Sequence, residues 1–125
     1  MKSNGRINRY LTLSQKYLKD ADKLLEDKDY SQASEKLWGA LVTIIKAVAA
    51  KRNKTIKTHA GIKFYLTNIS RELKDESLNS IILVGEGLHQ NFYENSDPPE
   101  AIQSGAKIIR RFVKRMQTRF ELKLP

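Results

Sequence analysis

Between Leu37 and Ala50 the chain lays apolar side chains along two adjoining stripes of one helix. Leu37, Leu41, Ile44 and Val48 form the first stripe, and Trp38, Val42, Ile45 and Ala49 the second. Together they cover well over the roughly 100° of girth that a surface helix buries. A helix so broadly apolar belongs at the centre of a bundle, or lends part of its surface to a subunit interface as well. Glu35, Gly39, Thr43 and Lys46 make up its one polar strip. Asp29 stands ahead of it as an N-cap, with Gln32 three residues on to reach back, the spacing of a capping box. A helix over residues 30–52 is therefore expected.

Helical spacing recurs along the rest of the chain, with neither a sustained period of two nor an Asn-Gly or Asp-Gly hairpin turn. A first helix is expected over 8–27, with Leu11, Leu18, Ala21, Leu24 and Leu25 apolar; the short Lys28-Asp29 connector favours an antiparallel neighbour. Thr58 caps a third helix to Leu73, turning Ile62, Leu66, Ile69 and Leu73 inward. Lys74-Asp75-Glu76 makes a turn, and a fourth helix covers 77–93 with Leu78, Ile81, Ile82, Leu88 and Phe92. Gly85 and Gly87 each lower its propensity by about 1 kcal/mol against alanine, pointing to close packing or a weakened turn. Ser96-Asp97-Pro98-Pro99-Glu100 signals a fifth start, with Asp97 as N-cap and Pro98 at the first helical position. That helix runs to Arg119, with Ile102, Ile109, Phe112, Val113 and Met116 opposite Lys107, Arg110, Arg111, Lys114 and Arg115. The expected fold is all-α: an antiparallel up-and-down bundle of four main helices plus a fifth. A chain of 125 residues forms one such domain, 1–125, and has no room for a second core.

The absence of cysteine excludes a disulfide framework and a thiolate metal site. Two histidines without metal-ligand spacing point to no metal and no cofactor. The longest apolar runs, 41–50 and 81–84, are too short to cross a bilayer. No apolar signal core follows Met1-Lys2-Ser3-Asn4, so a cytoplasmic protein is expected. Phosphate-loop, dinucleotide-binding and Gly-x-Ser-x-Gly elements are missing too.

The net charge is +9, from 23 Lys and Arg against 14 Asp and Glu, and such a field draws polyanions. Acids gather at Asp20, Asp22, Glu26, Asp27 and Asp29, whereas 46–63 and 107–123 are almost purely basic. Runs of this kind also serve as plain solvated faces. The fifth helix has the amphipathic, basic character of a lipid-surface helix, but a capped helix whose apolar face completes a bundle needs no membrane. The surface expected to take RNA, a nucleotide or another polyanion comprises Lys51, Arg52, Lys54 and Lys57, with Lys107, Arg110, Arg111, Lys114 and Arg115 on the fifth helix.

Chemistry gathers in Leu88-His89-Gln90-Asn91-Phe92-Tyr93-Glu94. Residues three and four apart share a helix face, so Glu86, His89 and Tyr93 are the candidate catalytic trio, with His89 as general base. His89, Asn91, Tyr93 and Glu94 are the candidate pocket residues. The same trio serves equally well as a polar bridge between helices. His59 opens the third helix, where it helps hold an anion at a helix N-terminus or is simply a first-turn residue. Trp38 reads as core or interface before it reads as a base-stacking platform.

Two segments, Asp29-Tyr30-Ser31-Gln32-Ala33-Ser34-Glu35-Lys36-Leu37-Trp38-Gly39-Ala40 and Leu88 to Glu94, are similar to the archaeal paralogous-repeat (PaREP-type) family, over nearly the whole chain. That family resembles the HEPN superfamily (higher eukaryotes and prokaryotes nucleotide-binding). The resemblance implies an antiparallel, commonly homodimeric bundle. It also implies membership among ribonucleases of toxin and defence systems or non-catalytic partners of nucleotidyltransferases. Ribonuclease members place an arginine four to six residues ahead of the histidine; counted back from His89, those positions hold Gly85, Val84 and Leu83. The nearest preceding arginine is Arg71, on another expected helix. The missing cation leaves no evident stabiliser for phosphate charge. The expectation is therefore a non-catalytic binding module, with a His89 ribonuclease, or a nucleotidyltransferase- or antitoxin-like protein-binding module, as alternatives.

Overall fold

The helix built on Leu37–Ala50 touches every other helix of the molecule. The computed structural model describes residues 2–124, with side chains from Asn4 onward. In chain order the helices are α1 (Lys2–Glu26), α2 (Tyr30–Lys51), α3 (His59–Leu73), α4 (Ser77–Glu94) and α5 (Pro99–Arg119), and no strand occurs among the described residues. The all-α bundle is as expected. Of the two roles open to α2, the central one is realised: Leu37, Leu41, Ile44, Ile45 and Val48 are wholly buried.

Even the polar strip of α2 is partly covered, because α1 packs along it. The Ser14 hydroxyl donates to the Ala40 carbonyl at 2.9 Å, and the Thr43 hydroxyl turns back to the Gly39 carbonyl at 2.8 Å. Gly39 admits the Tyr17 ring, whose Cδ2 would stand 3.0 Å from a Cβ added there. Around this pair, α4 and α5 lie against α2 and against each other, and α3 lies against α2 and α4. Among the described residues, α3 and α5 make no contact, so they occupy opposite sides of the α2–α4 pair.

Two helix starts and one capping contact depart from the sequence reading. α1 begins at Lys2 instead of residue 8, because Ile7 and Tyr10 pack on the core and Arg6 bonds the Thr55 hydroxyl. The N-cap of α5 is Pro98, extended at φ −63° and ψ 149°, with Pro99 first in the helix. A residue before proline is driven out of the helical region, so Pro98 cannot take the place the sequence suggested. Asp97 stays outside, its N–H held by Asn91 Oδ1 at 2.9 Å. At α2, Asp29 caps the Gln32 N–H at 3.2 Å, while its own N–H returns to the Leu24 carbonyl of α1. The reciprocal arm of the capping box is therefore replaced by the α1 terminus.

Gly85 sets the approach of α4 to α2. A Cβ there would overlap Leu41 Cδ2 and stand 3.0 Å from Trp38 Cε3, whereas one at Gly87 meets nothing within 4 Å. Of the two readings offered for these glycines, close packing holds at Gly85. We expect Gly85→Ala to lose about 1–3 kcal/mol by overpacking a filled core. Gly87→Ala should gain up to about 1 kcal/mol from helix propensity alone. Urea unfolding of the two variants beside the parent chain measures both, and equal midpoints would contradict the account.

Candidate functional site

The C-terminal half of α4 brings His89 onto the first half of α2. Its Nδ1 lies 2.9 Å from Glu35 Oε1, which favours a proton on Nδ1 and leaves Nε2 as the free ring atom. The imidazole stacks on the Trp38 indole, with ring centroids 5.2 Å apart at 26°. From the start of α3, His59 stacks on the same indole at 4.9 Å and 26°. The two imidazole centroids are 6.4 Å apart, with their planes tilted by 40°. Tyr93 closes the group, its ring edge-on to His89 at 5.5 Å and itself 72% exposed.

The trio expected from α4 does share a face, yet its members have different partners. Glu86 pairs with Lys63 of α3 at 3.1 Å, and the carboxylate that orients His89 is Glu35 of α2. Asn91 is 2% exposed and fully used by the fold. Its amide donates to Ser34 Oγ at 3.0 Å, and its Oδ1 accepts the Ser96 and Asp97 N–H groups at 2.9 Å each. It clamps the α4–α5 turn to α2. Glu94 accepts from Gln90 Nε2 one helical turn back, at 3.1 Å on the surface.

The basic residues also divide. Arg52 forks onto Glu72 at 2.7 and 2.5 Å and lies 4.6 Å over the Phe120 ring, and its guanidinium holds the Glu72 carboxyl below the usual range. Arg110 pairs with Asp22 of α1. Arg115 reaches Asp75 at 2.6 Å; the Ser77 hydroxyl and then Arg115 hold that carboxyl below its ordinary value. Lys51 lies 3.5 Å from the Glu121 carbonyl. Lys54, Lys57, Lys107, Arg111 and Lys114 are exposed and form no ion pair among the described residues.

Lys57 joins His59, while His89 meets the group only through the Trp38 ring. With Lys46, Thr58, His59, Val42 and Ile62, Lys57 lines a cleft of about 200 Å³ whose wall is Trp38. The basic face of α5 lies beyond the α2–α4 pair and contributes nothing to this cleft. Sequence reasoning overlooked the conjunction of His59, Trp38 and Glu35 with His89. Glu35 and Lys46 were visible in the α2 polar strip, but nothing along the chain joined them to residues 59 and 89. Among the described residues, no group of three or more His, Cys, Asp or Glu side chains is arranged to hold a metal. Among the described residues, no helix is long and apolar enough to cross a membrane.

Residues 9–113 match the archaeal PaREP1/PaREP8 family. The chain belongs to that family. The matched span carries all of α2, α3 and α4, and so every residue of the histidine cluster. No curated protein and no solved structure matches the chain.

The clamp assigned to Asn91 makes it a stability residue. Asn91→Ala leaves two backbone N–H groups without their acceptor and removes the donor to Ser34 Oγ, which keeps its own bond to the Tyr30 carbonyl, and we expect a loss of about 1–3 kcal/mol for that desolvation. Thermal unfolding reads it, and an unchanged midpoint would return Asn91 to the ligand set.

Proposed function

We propose that the protein is a non-catalytic binding module for RNA or a phosphorylated nucleotide, seated in the cleft between α2 and the start of α3. The observation that carries this reading is the pair His59 and His89 on Trp38, beside Lys46 and Lys57. The lysines and the positive end of α3 suit phosphate oxygens. The exposed His59 and Tyr93 rings offer faces to a base or ribose, as single-strand binders use aromatic side chains. Cations already paired within the fold, at Arg52, Arg110 and Arg115, are weaker candidates than Lys46 and Lys57, because a ligand would first have to displace a carboxylate.

Trp38 is the sole tryptophan, so its emission reports directly on the cleft. Titration with a short single-stranded ribo-oligonucleotide should quench it. Affinity should fall with salt at a logarithmic slope near −2 if about three phosphates are engaged. Lys57→Glu and His59→Ala should each weaken binding by about tenfold or more. Binding that ignores salt, or that survives Lys57→Glu unchanged, would remove this assignment.

A second reading is favoured by the same two histidines. A pair of imidazoles beside lysines can act as base and acid in cleaving RNA. One removes the 2′-hydroxyl proton as that oxygen attacks phosphorus; the other protonates the departing 5′-oxygen as the P–O bond breaks. His89, oriented by Glu35, suits the base, and exposed His59 the acid. This pairing does not use the missing upstream arginine. Labelled RNA incubated with the parent chain, His59→Ala and His89→Ala tests it: cleavage lost in both variants selects this reading, and equal cleavage by all three rules it out.

A further inference from the structure

On the far side of the molecule, α5 carries an apolar residue that the core does not use. Ile108 is partly buried yet lies outside the packed core cluster, with Arg111 and Arg115 beside it in one cleft and Lys107 preceding it in the chain. It overlooks a cleft of about 180 Å³ between the start of α4 and the middle of α5, floored by Leu78, Ile81 and Phe112 and edged by Arg111 and Arg115. That volume matches one large aliphatic side chain. A second depression continues from Arg111 and Arg115 past Lys114 and Thr118 to Arg119, so the cationic edge extends along the helix. Arg115 is fixed by Asp75, whereas Lys107, Arg111 and Lys114 have no ion-pair partner among the described residues.

We propose that this face docks an acidic helical segment of a partner protein, which seats one aliphatic side chain in the cleft and sets carboxylates against Arg111 and Lys114. Charge complementarity selects an acidic occupant, and the lining of the cleft selects protein over nucleic acid. A strand of RNA gains from aromatic faces on which bases stack, yet the one aromatic ring here, Phe112, is 3% exposed and the remaining floor is aliphatic. An apolar floor between two helices, edged by arginines, suits a helix-in-groove contact with an acidic, amphipathic helix. The face is separate from the Trp38 cleft, because α5 and α3 do not touch among the described residues. Both can then be occupied at once.

The test uses the full chain and a labelled synthetic helical peptide of Glu and Ala with one central Leu, followed by fluorescence anisotropy. Binding about tenfold tighter than that of the Leu→Ala peptide, with none by the Lys-for-Glu peptide, supports the proposal. Arg111→Glu and Ile108→Asn should each abolish that preference. Circular dichroism and the response of Trp38 to oligonucleotide should stay as in the parent, since neither residue belongs to the core or to the other cleft. Failure of the Leu peptide to bind, equal affinity for the Leu and Ala peptides, or its displacement by a ribo-oligonucleotide in a manner lost with Arg111→Glu would each overturn it. The nucleotide reading of the Trp38 cleft stands or falls separately, on its own fluorescence titration.

Discussion

The close approach of α4 to α2 at Gly85 governs the rest of the molecule. Because Gly85 has no side chain, Leu41 and the benzo edge of Trp38 fill the space a Cβ would take. That contact fixes the rotation of α4, and the rotation presents His89 to Glu35 and lays its ring on the indole. Glycine costs helix propensity at this position, and the cost is offset by burial along the α2–α4 seam. Packing of the core and the seating of His89 on Trp38 are thus one event. The side chain that anchors the histidines, Trp38, is also a core residue at 8% exposure.

Charge on this chain has two uses, which its net value of +9 conceals. Some cations hold the bundle together: Arg52 ties the end of α2 to α3, Arg110 ties α5 to α1, and Arg115 ties α5 to the turn before α4. These bridges are partly exposed and individually weak in water, but each occupies a guanidinium that would otherwise face solvent. Among the cations without a carboxylate partner in the described residues, Lys46 and Lys57 stand by His59 and Trp38, and Lys107, Arg111 and Lys114 stand on α5, across the α2–α4 pair. One continuous positive flank, as the linear sequence suggests, becomes two surfaces with different floors. One is aromatic and the other aliphatic, and that contrast underlies the different ligands proposed for them.

Helix order, inward-facing residues and the capping of α2 and α3 follow from spacing and are legible in the chain. Helix ends are less so. Lys28, Asn53, Lys74 and Asn95 take left-handed backbone at φ between 48° and 60° just beyond their helices, where glycine would have announced the stop. The early start of α1 is hidden because its first turns are mostly polar and are held by Thr55, distant in sequence. At the candidate site, the nearness of His89 to Tyr93 was visible and its neighbours from α2 and α3 were not. Glu86, the obvious partner one turn away, is taken by Lys63, and the carboxylate that replaces it lies fifty-four residues back in the chain.

The sequence by itself determined the helices, their order, the central place of the most apolar one and the family, because periodicity and composition act locally and add along the chain. Only the tertiary structure decided which titratable groups meet, since that depends on the rotation and depth at which helices pack. A shift of one residue in the seating of α4 would carry His89 about 100° away from Glu35. The steric demand at Gly85 prevents it, and no pattern within α4 alone could have revealed that demand.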